Sequence, residues 1–558
     1  MKKNVLYIGL IFLLCALFVM PANLTRVLPA AQKNVSPPDL TDSELYYTET
    51  PESHIATLGD SVGYADNELI IFFKDGATER QKQSLFDALQ AKVIGHTEVL
   101  NKYQLQLPQA KSYAGLLALC AKAKLHSKVA FASCNFALQR REDVVPDDPW
   151  NNPEIGDLYY VPDWDEKNLN GRNWWLNATQ TPAAWDHEEL FNHIRIGIVD
   201  SGFESEHEDL EGKIDFSSNF QKKRNIPDSH GTHVAGIISA NANNGIGITG
   251  ICDNADLLCI DWSPIEDAGQ KWSTDERIFT GFISLVIHGA KVINLSLGAS
   301  HNYDPEEKNK KMDIGMFFEG ALFSFTMATL LNIGYDFIVV QSAGNGDKND
   351  DPCDSYYNGS FCTVKRSNAF TGFGKATKDD VLNRIIVVGS STKAHKDDVF
   401  YQSSFSNFGD GVSIFAPGSS IYSTILISED KYGYKSGTSM AAPVVTGITA
   451  LTWSVNPKLT GAEVKQIVCD PKNTIYTAQN YYNDTMDIPE YPIVNAKLSV
   501  EAAMRTIGLE PESTTDISEE PTSEPEQDHT VINAEQKPFL PGRSDQKTIE
   551  QFRGEIGE

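Results

Sequence analysis

Five short, near-continuous apolar runs punctuate the chain, at residues 194–199, 291–297, 336–340, 384–388 and 412–415. Patterns of helical period separate several of them. A strand that is apolar at every position is buried on both faces, so the set predicts an α/β domain with a mostly parallel sheet covered by helices on both sides. From Met440 the sequence becomes apolar and small (Ala441, Ala442, Val444, Val445, Gly447, Ile448, Ala450, Leu451), which predicts a helix buried inside that domain. Further upstream, residues 68–73 read as a strand and 79–91 as a helix with Leu85, Phe86 and Leu89 on one face. Residues 92–107 read as two strands, 112–125 as a second helix and 129–138 as a last strand. The order β-α-β-β-α-β predicts a small α+β sandwich ahead of the larger domain.

The chain ends read differently. Lys2 and Lys3 precede an apolar run over residues 5–20, so 1–30 form a signal peptide or, if uncleaved, an anchor to the membrane. Residues 31–66 are polar and carry Pro37-Pro38, a linker pattern. The small domain is then expected over 67–141 and the larger one over 142–507. Residues 508–558, rich in Glu, Pro, Ser and Thr, are expected to be a disordered acidic tail. The formal net charge of -28 excludes nucleic acid as a partner, since phosphate binding needs basic surface. A monomer is expected. Export would permit disulfides: Cys353 with Cys362 first, then Cys120 with Cys134 and Cys252 with Cys259, which leaves Cys469 over.

Candidate chemistry lies where the apolar runs end. Ser439 sits among small residues in Ser436-Gly437-Thr438-Ser439-Met440-Ala441-Ala442-Pro443, at a helix start whose free N–H groups suit an oxyanion. Asp200 closes the run at 194–199 and is followed by Ser201-Gly202. His230 opens His-Gly-Thr-His-Val-Ala-Gly, and Asn345 lies in Ser-Ala-Gly-Asn-Gly at another strand end. Singly, each has a duller reading: a capping Asp, a structural His, a turn Asn. Together they supply a nucleophile, a base, an orienter and an oxyanion donor at the carboxyl edge of one sheet.

On these residues the chain resembles the subtilisin-like serine proteases. The resemblance spans about residues 150–503, and the order Asp, His, Ser is that of subtilisin. It implies peptide-bond hydrolysis through an acyl-enzyme, with Asp200, His230 and Ser439 as the triad and Asn345 in the oxyanion hole. It assigns chemistry to His230 and leaves His233 structural. It further implies that Ser296, Leu297 and Gly298 pair with the substrate backbone. It also implies a structural calcium ion at Asp209 and the loop 242–248, with the Asn244 side chain and the carbonyls of Ala242, Ile246 and Ile248 as ligands. The alternative there is an Asn/Gly turn without metal. The small domain resembles the family's inhibitory propeptide, so a secreted or periplasmic zymogen is expected, with its own propeptide as partner and proteins or peptides as substrates. The cut is expected between residues 138 and 148, with Arg140-Arg141 a candidate.

Two segments depart from the family pattern. Residues 299–327 are longer than expected, and 347–362 form an acidic insertion. The acidic one is read as a solvated or calcium-binding loop, with a preference for basic substrates as the alternative. Two other function classes remain open: a catalytically silent subtilase used for binding, and an esterase.

Overall fold

The computed structural model describes residues 45–58, 62–139, 172–216, 225–263, 272–297, 314–346, 375–393, 399–479 and 490–511. The N-terminal domain holds strands β1 (Leu45–Tyr46), β2 (Ile55–Thr57), β3 (Val62–Phe73), β4 (Lys92–Thr97), β5 (Lys102–Gln106) and β6 (Val129–Gln139). They pair antiparallel in the order β1-β4-β5-β3-β6, with β2 on β3. Its first helix, Glu79–Leu89, begins at a capping box between Thr78 and Gln81. The second, Tyr113–Lys124, begins at a Ser112 side chain that accepts from the Gly115 N–H.

Strand alternation divides the sheet into two buried faces. Leu69, Ile71, Phe73, Tyr103, Leu105, Ala132, Cys134 and Phe136 pack with Leu85, Phe86, Leu89 and Leu116 of the two helices. Glu68, Ile70, Phe72, Lys102, Gln104, Phe131, Ser133 and Asn135 therefore face the other way, and every one of them is buried. The polar linker expected over 31–66 is corrected from residue 45 onward, because β1 and β2 belong to this sheet. Polar residues conceal the segment in the sequence because they find partners inside. The Thr48 N–H donates to Gln104 Oε1 (3.0 Å), and the Thr50 hydroxyl donates to Glu68 Oε1 (2.9 Å).

The larger domain is built on strands β7 (Ile194–Asp200), β8 (Ile214–Asp215), β9 (Ala255–Asp261), β10 (Trp272–Thr274), β11 (Val292–Leu295), β12 (Ile338–Ser342), β13 (Ile385–Lys393), β14 (Phe400–Gln402) and β15 (Ile414–Pro417). A hairpin, β16 (Ile421–Thr424) and β17 (Tyr432–Lys435), and two short strands, β18 (Thr477–Gln479) and β19 (Tyr491–Pro492), complete it. Strands β8-β9-β7-β11-β12-β13-β15 run parallel in that order, as the apolar runs predict. One face packs Ile196, Ile198, Val292, Val340 and Val388 against the helices Ser229–Ser239 and Thr438–Val455. The other packs Val199, Ile293, Leu295 and Val339 against the helices Asp275–Ile287 and Ile314–Asn332. Three layers result.

The two domains share one seam. β10 adds to the edge of the N-terminal sheet beside β6, so a strand of the larger domain extends the sheet of the smaller. The second sheet face rests on Asp275–Ile287 and Ile314–Asn332. Phe325 meets Phe72 and Phe131 at ring-centroid distances of 4.9 and 5.5 Å. The helix Ile314–Asn332 lies largely within the long segment 299–327, so the described part of that departure forms a seat for the N-terminal domain. Between the domains, Lys102 Nζ donates to Glu276 Oε1 at 2.5 Å, with both side chains 1% exposed.

Two expected disulfides are corrected: Cys120, Cys134, Cys252 and Cys259 are free thiols. Cys120 and Cys134 stand beside each other, and that contact together with burial pushes the Cys134 thiol up. Cys259 lies well inside the extended strand β9, which carries it away from Cys252 at the strand's approach. Cys353, Cys362, residues 1–44, the expected cut site at 140–148, the insertion at 347–362 and the tail from 512 lie outside the described residues. Among the described residues no helix is long and apolar enough to cross a membrane.

Candidate functional site

The carboxyl ends of β7, β11 and β12 come together because these strands are neighbours in parallel register, Leu295 opposite both Val199 and Gln341. Asp200 ends β7 and is 1% exposed. Its Oδ1 accepts from the Ser201 N–H at 2.7 Å and meets His230 Nδ1 at 2.6 Å. Burial raises the Asp200 pKa, while the charge and hydrogen bond of His230 oppose that shift.

His230 stands in the first turn of the helix Ser229–Ser239, whose N-cap is Asp228. The Asp228 carboxylate accepts from the His230 N–H (2.8 Å) and from the Ser201 hydroxyl (2.9 Å), which ties the His230 turn to the end of β7. That approach requires glycine at 231: a Cβ there would stand 2.1 Å from the Ser201 carbonyl oxygen. Asp228 is a participant that sequence reasoning misses, although an Asp two residues ahead of the histidine carries the N-cap signal. His233, as expected, is structural. It is buried, its Nε2 meets the carbonyl oxygens of Ile421 (2.9 Å) and Gly433 (3.2 Å), and desolvation takes its pKa down to about 3.

Ser439 is the one residue of the helix Thr438–Val455 that is not buried, so the helix is a core element with a single side chain reaching the surface. Its hydroxyl donates to the Ser296 carbonyl oxygen at 3.4 Å. Asn345 is held by its amide oxygen, which accepts from both the N–H (2.8 Å) and the hydroxyl (2.7 Å) of Thr438, the residue before the serine. This turns its Nδ2 toward Gly437, where a Cβ would lie 3.1 Å away. Asn407 shapes the Asn345 turn from below. Its Nδ2 donates to the Ala343 carbonyl oxygen (2.9 Å), and its Oδ1 accepts from the Gly346 N–H (3.1 Å). In the sequence the asparagine of Phe405-Ser-Asn-Phe-Gly409 stands out only as part of a supporting segment; its contact with the turn depends on a fold-back between distant segments.

Ser296 and Leu297 extend beyond β11 beside Ser439, and Gly298 lies outside the described residues. The expected calcium residues also meet. Asp209 is fully buried with no basic side chain paired to it among the described residues, and burial raises its pKa. Asn244 Nδ2 donates to its Oδ1 at 2.7 Å, and the Ile248 N–H donates to its Oδ2 at 2.8 Å. The donor set is therefore a buried carboxylate, a carboxamide and a loop backbone. It fits a hard cation only with the Asn244 amide turned over to present its oxygen, which gives up the bond that oxygen now accepts from the Ile246 N–H (3.1 Å). As it stands, the loop satisfies Asp209 without metal, and no group of three acidic, His or Cys side chains able to hold a metal stands together among the described residues.

Comparison with known proteins places this geometry in a lineage. The model of the "Subtilase family" matches residues 192–486, and that of the "Fervidolysin N-terminal prodomain" matches 50–135. The chain is 27% identical over 443 residues to the thermophilic serine proteinase of Bacillus sp. strain AK1, covering 78% of this chain and 89% of that one. It is 30% identical over 289 residues to thermitase of Thermoactinomyces vulgaris, covering 51% and 82%. The cell wall-associated protease of Bacillus subtilis is 27% identical over 439 residues, covering 75% of this chain and 42% of that one. The crystal structure of fervidolysin from Fervidobacterium pennivorans, a keratinolytic enzyme related to subtilisin, superposes with a TM-score of 0.54 at 20% identity, covering 84% of this chain and 65% of that one.

Proposed function

The chain belongs to the subtilase family of serine endopeptidases and carries a fervidolysin-like N-terminal prodomain, and from that premise we propose that it is an exported endopeptidase working through Asp200, His230 and Ser439. The observation that carries the reading is the 2.6 Å contact from Asp200 to His230 Nδ1. This contact puts the N–H on Nδ1 and turns Nε2 into the base. His230 takes the proton of Ser439 as its hydroxyl attacks the scissile carbonyl, then returns one to the leaving amine. Asp200 holds the imidazole and stabilises its cation. Asn345 Nδ2 and the Ser439 N–H receive the oxyanion, and Ser296 to Gly298 pair with the substrate backbone. A fluorophosphonate probe tests the reading: it labels the wild-type protein, leaves Ser439→Ala unlabelled, and casein is cleaved at a rate that simple ester hydrolysis does not account for. An unlabelled, folded wild type with its prodomain removed means a silent binding protein, and labelling with ester but no casein cleavage means an esterase.

Asn345→Ala is expected to lower kcat about 100- to 1,000-fold with the fold intact, the magnitude measured for the oxyanion asparagine of subtilisin itself. A kcat within about threefold of wild type removes Asn345 from the oxyanion hole.

The prodomain is read as an inhibitor held until the linker after β6 is cut, between residues 138 and 148. Export rests on the apolar segment at 5–20 and on the cell wall-associated relative. Calcium would be held by Asp209, Asn244 and the carbonyls of Ala242, Ile246 and Ile248, where it neutralises a buried carboxylate and stiffens the loop. Calcium at about a thousandfold excess over its Kd is expected to raise Tm by about 5 °C over EDTA-treated protein, and Asp209→Asn to abolish the rise. An unchanged Tm identifies the metal-free turn.

A further inference from the structure

We propose that Thr446, Asn294 and Ser296 form a buried hydrogen-bond relay that positions the nucleophile, with Thr446 and Asn294 acting on Ser439 through Ser296. The Thr446 hydroxyl donates to Asn294 Oδ1 at 2.9 Å. Asn294 Nδ2 donates to Ser296 Oγ at 2.9 Å, and Ser296 Oγ donates to the Ser439 carbonyl oxygen at 2.8 Å. Every bond points the same way. The path leaves the Ser439 helix two turns in, crosses to β11, follows that strand to its end and returns to the first turn of the same helix. The inference rests on the assignment of Ser439 as nucleophile.

Two physical facts make the relay more than incidental packing. First, the α-helical partner of the Ser439 carbonyl would be the N–H of residue 443, and Pro443 has none. The Ser296 hydroxyl supplies the missing donor at the turn that carries the nucleophile and its oxyanion-binding N–H. Second, Asn294 sits in the middle of the sheet, between Ile198 and Val340, and is 0% exposed. A carboxamide there costs stability unless both its ends are bonded. Thr446, also 0% exposed, occupies one end, which leaves the amide nitrogen aimed at Ser296. With the amide turned over, its NH2 would donate to the Thr446 hydroxyl and its oxygen would draw the Ser296 proton, which leaves the Ser439 carbonyl without a donor opposite Pro443. In the orientation observed, Thr446 donates to the Asn294 oxygen, Asn294 fills the acceptor side of the Ser296 hydroxyl, and the Ser296 proton is left for the Ser439 carbonyl.

The relay predicts a polarity effect. In Asn294→Asp the side chain keeps its size and still accepts from Thr446, but the second oxygen accepts from Ser296 instead of donating to it, so the Ser439 carbonyl loses its donor. In Thr446→Val the shape is kept and the orienting hydroxyl is lost, whereas Thr446→Ser keeps the hydroxyl. The experiment compares wild type with these three variants in the processed enzyme, measuring kcat, KM, Tm and the rate of fluorophosphonate acylation. Small displacements of a reacting group are expensive, so kcat and acylation rate are expected to fall about tenfold in Thr446→Val with KM within about twofold, and at least as far in Asn294→Asp. Thr446→Ser is expected to stay within about twofold of wild type. Should Asn294→Asp fail to fold, the Thr446 pair decides. Unchanged kcat and acylation rate in Thr446→Val overturn the relay, as does a loss that Thr446→Ser shares or that follows Tm alone. A wild type that is itself unlabelled overturns the assignment of Ser439 instead, and the relay with it.

Discussion

Ser439→Ala is expected to stop peptide hydrolysis and to leave the precursor uncut, with its N-terminal domain still attached. The loss in kcat is about a millionfold, the figure measured for the nucleophilic serine of subtilisin itself. The structure shows why the fold should survive. Ser439 is the only residue of the helix Thr438–Val455 that is not buried, and the contact from Ser296 reaches its main-chain carbonyl, which alanine retains. The Asn345 contacts run to Thr438 and are likewise untouched. Activity on casein and the mass of the purified chain read both effects together. Wild type should shorten at the linker between residues 138 and 148, and the variant should not. Residual casein cleavage by a clean preparation of the variant would remove Ser439 from the role, and shortening of the variant in isolation would show that the cut is not made by this site.

A second large effect is expected at the seam. Lys102→Met should weaken the hold of the N-terminal domain on the processed enzyme. Glu276 is 1% exposed, its Oε1 meets Lys102 and the Thr280 hydroxyl (3.1 Å), and its Oε2 has no hydrogen-bond partner among the described residues. Removing the cation leaves a buried carboxylate uncompensated, which costs about 3–5 kcal/mol, or roughly a hundred- to several-thousandfold in the dissociation constant. The intact pair need not add net affinity over an apolar pair; the loss comes from stranding Glu276. Onset of hydrolysis when the cut complex is diluted measures it, and an unchanged dissociation constant rules out Lys102–Glu276 as a determinant.

The same seam makes the hold pH-dependent. Glu68 is 0% exposed, accepts from Thr50, Gln104 and Asn135, and has its pKa raised by burial, with the nearby Glu276 charge adding to the shift. Among the described residues, Lys102 with Glu276 and the buried Arg277 with Glu49 are charged pairs that also meet at the seam. Strand alternation puts Glu68 on the face that separation exposes to water, which relieves the burial and the Glu276 charge that raise its pKa. The complex therefore binds more protons than the separated parts. Association is strongest below the ordinary carboxylate range and weakens as pH rises through the raised value of the bound state. The dissociation constant should climb across that window and then level off, and Glu68→Gln should flatten the climb. A constant that is flat in wild type would show that Glu68 keeps its charge state on release.

Most of the larger domain is legible from local pattern. Continuous Val/Ile runs can satisfy their side chains only inside a two-sided sheet, and glycine beside Asp200, His230, Asn345 and Ser439 marks where backbones must approach closely. The N-terminal strands at 45–57 are not legible, because Thr48 and Thr50 look like linker residues until Gln104 and Glu68 stand opposite. The two corrected disulfides differ: β9 carries Cys259 away from Cys252, whereas Cys120 and Cys134 do come together but as free thiols, and spacing along the chain distinguishes neither case.

By itself, then, the sequence determined the parallel core and singled out the four residues of the candidate site with the strand ends and helix starts that carry them, since each depends on period, turn chemistry and residue type within a few neighbours. Only the tertiary structure decided how those residues are held. Asp228 under His230, Asn407 under the Asn345 turn, Thr446 and Asn294 behind Ser439, and Lys102 against Glu276 all depend on groups brought together from separate parts of the chain. Asp228 and His230 are close in sequence, yet even there Ser201 must arrive from the end of β7. Buried polar groups must find partners wherever the fold brings them, and that choice is made by packing, which leaves no local period to read.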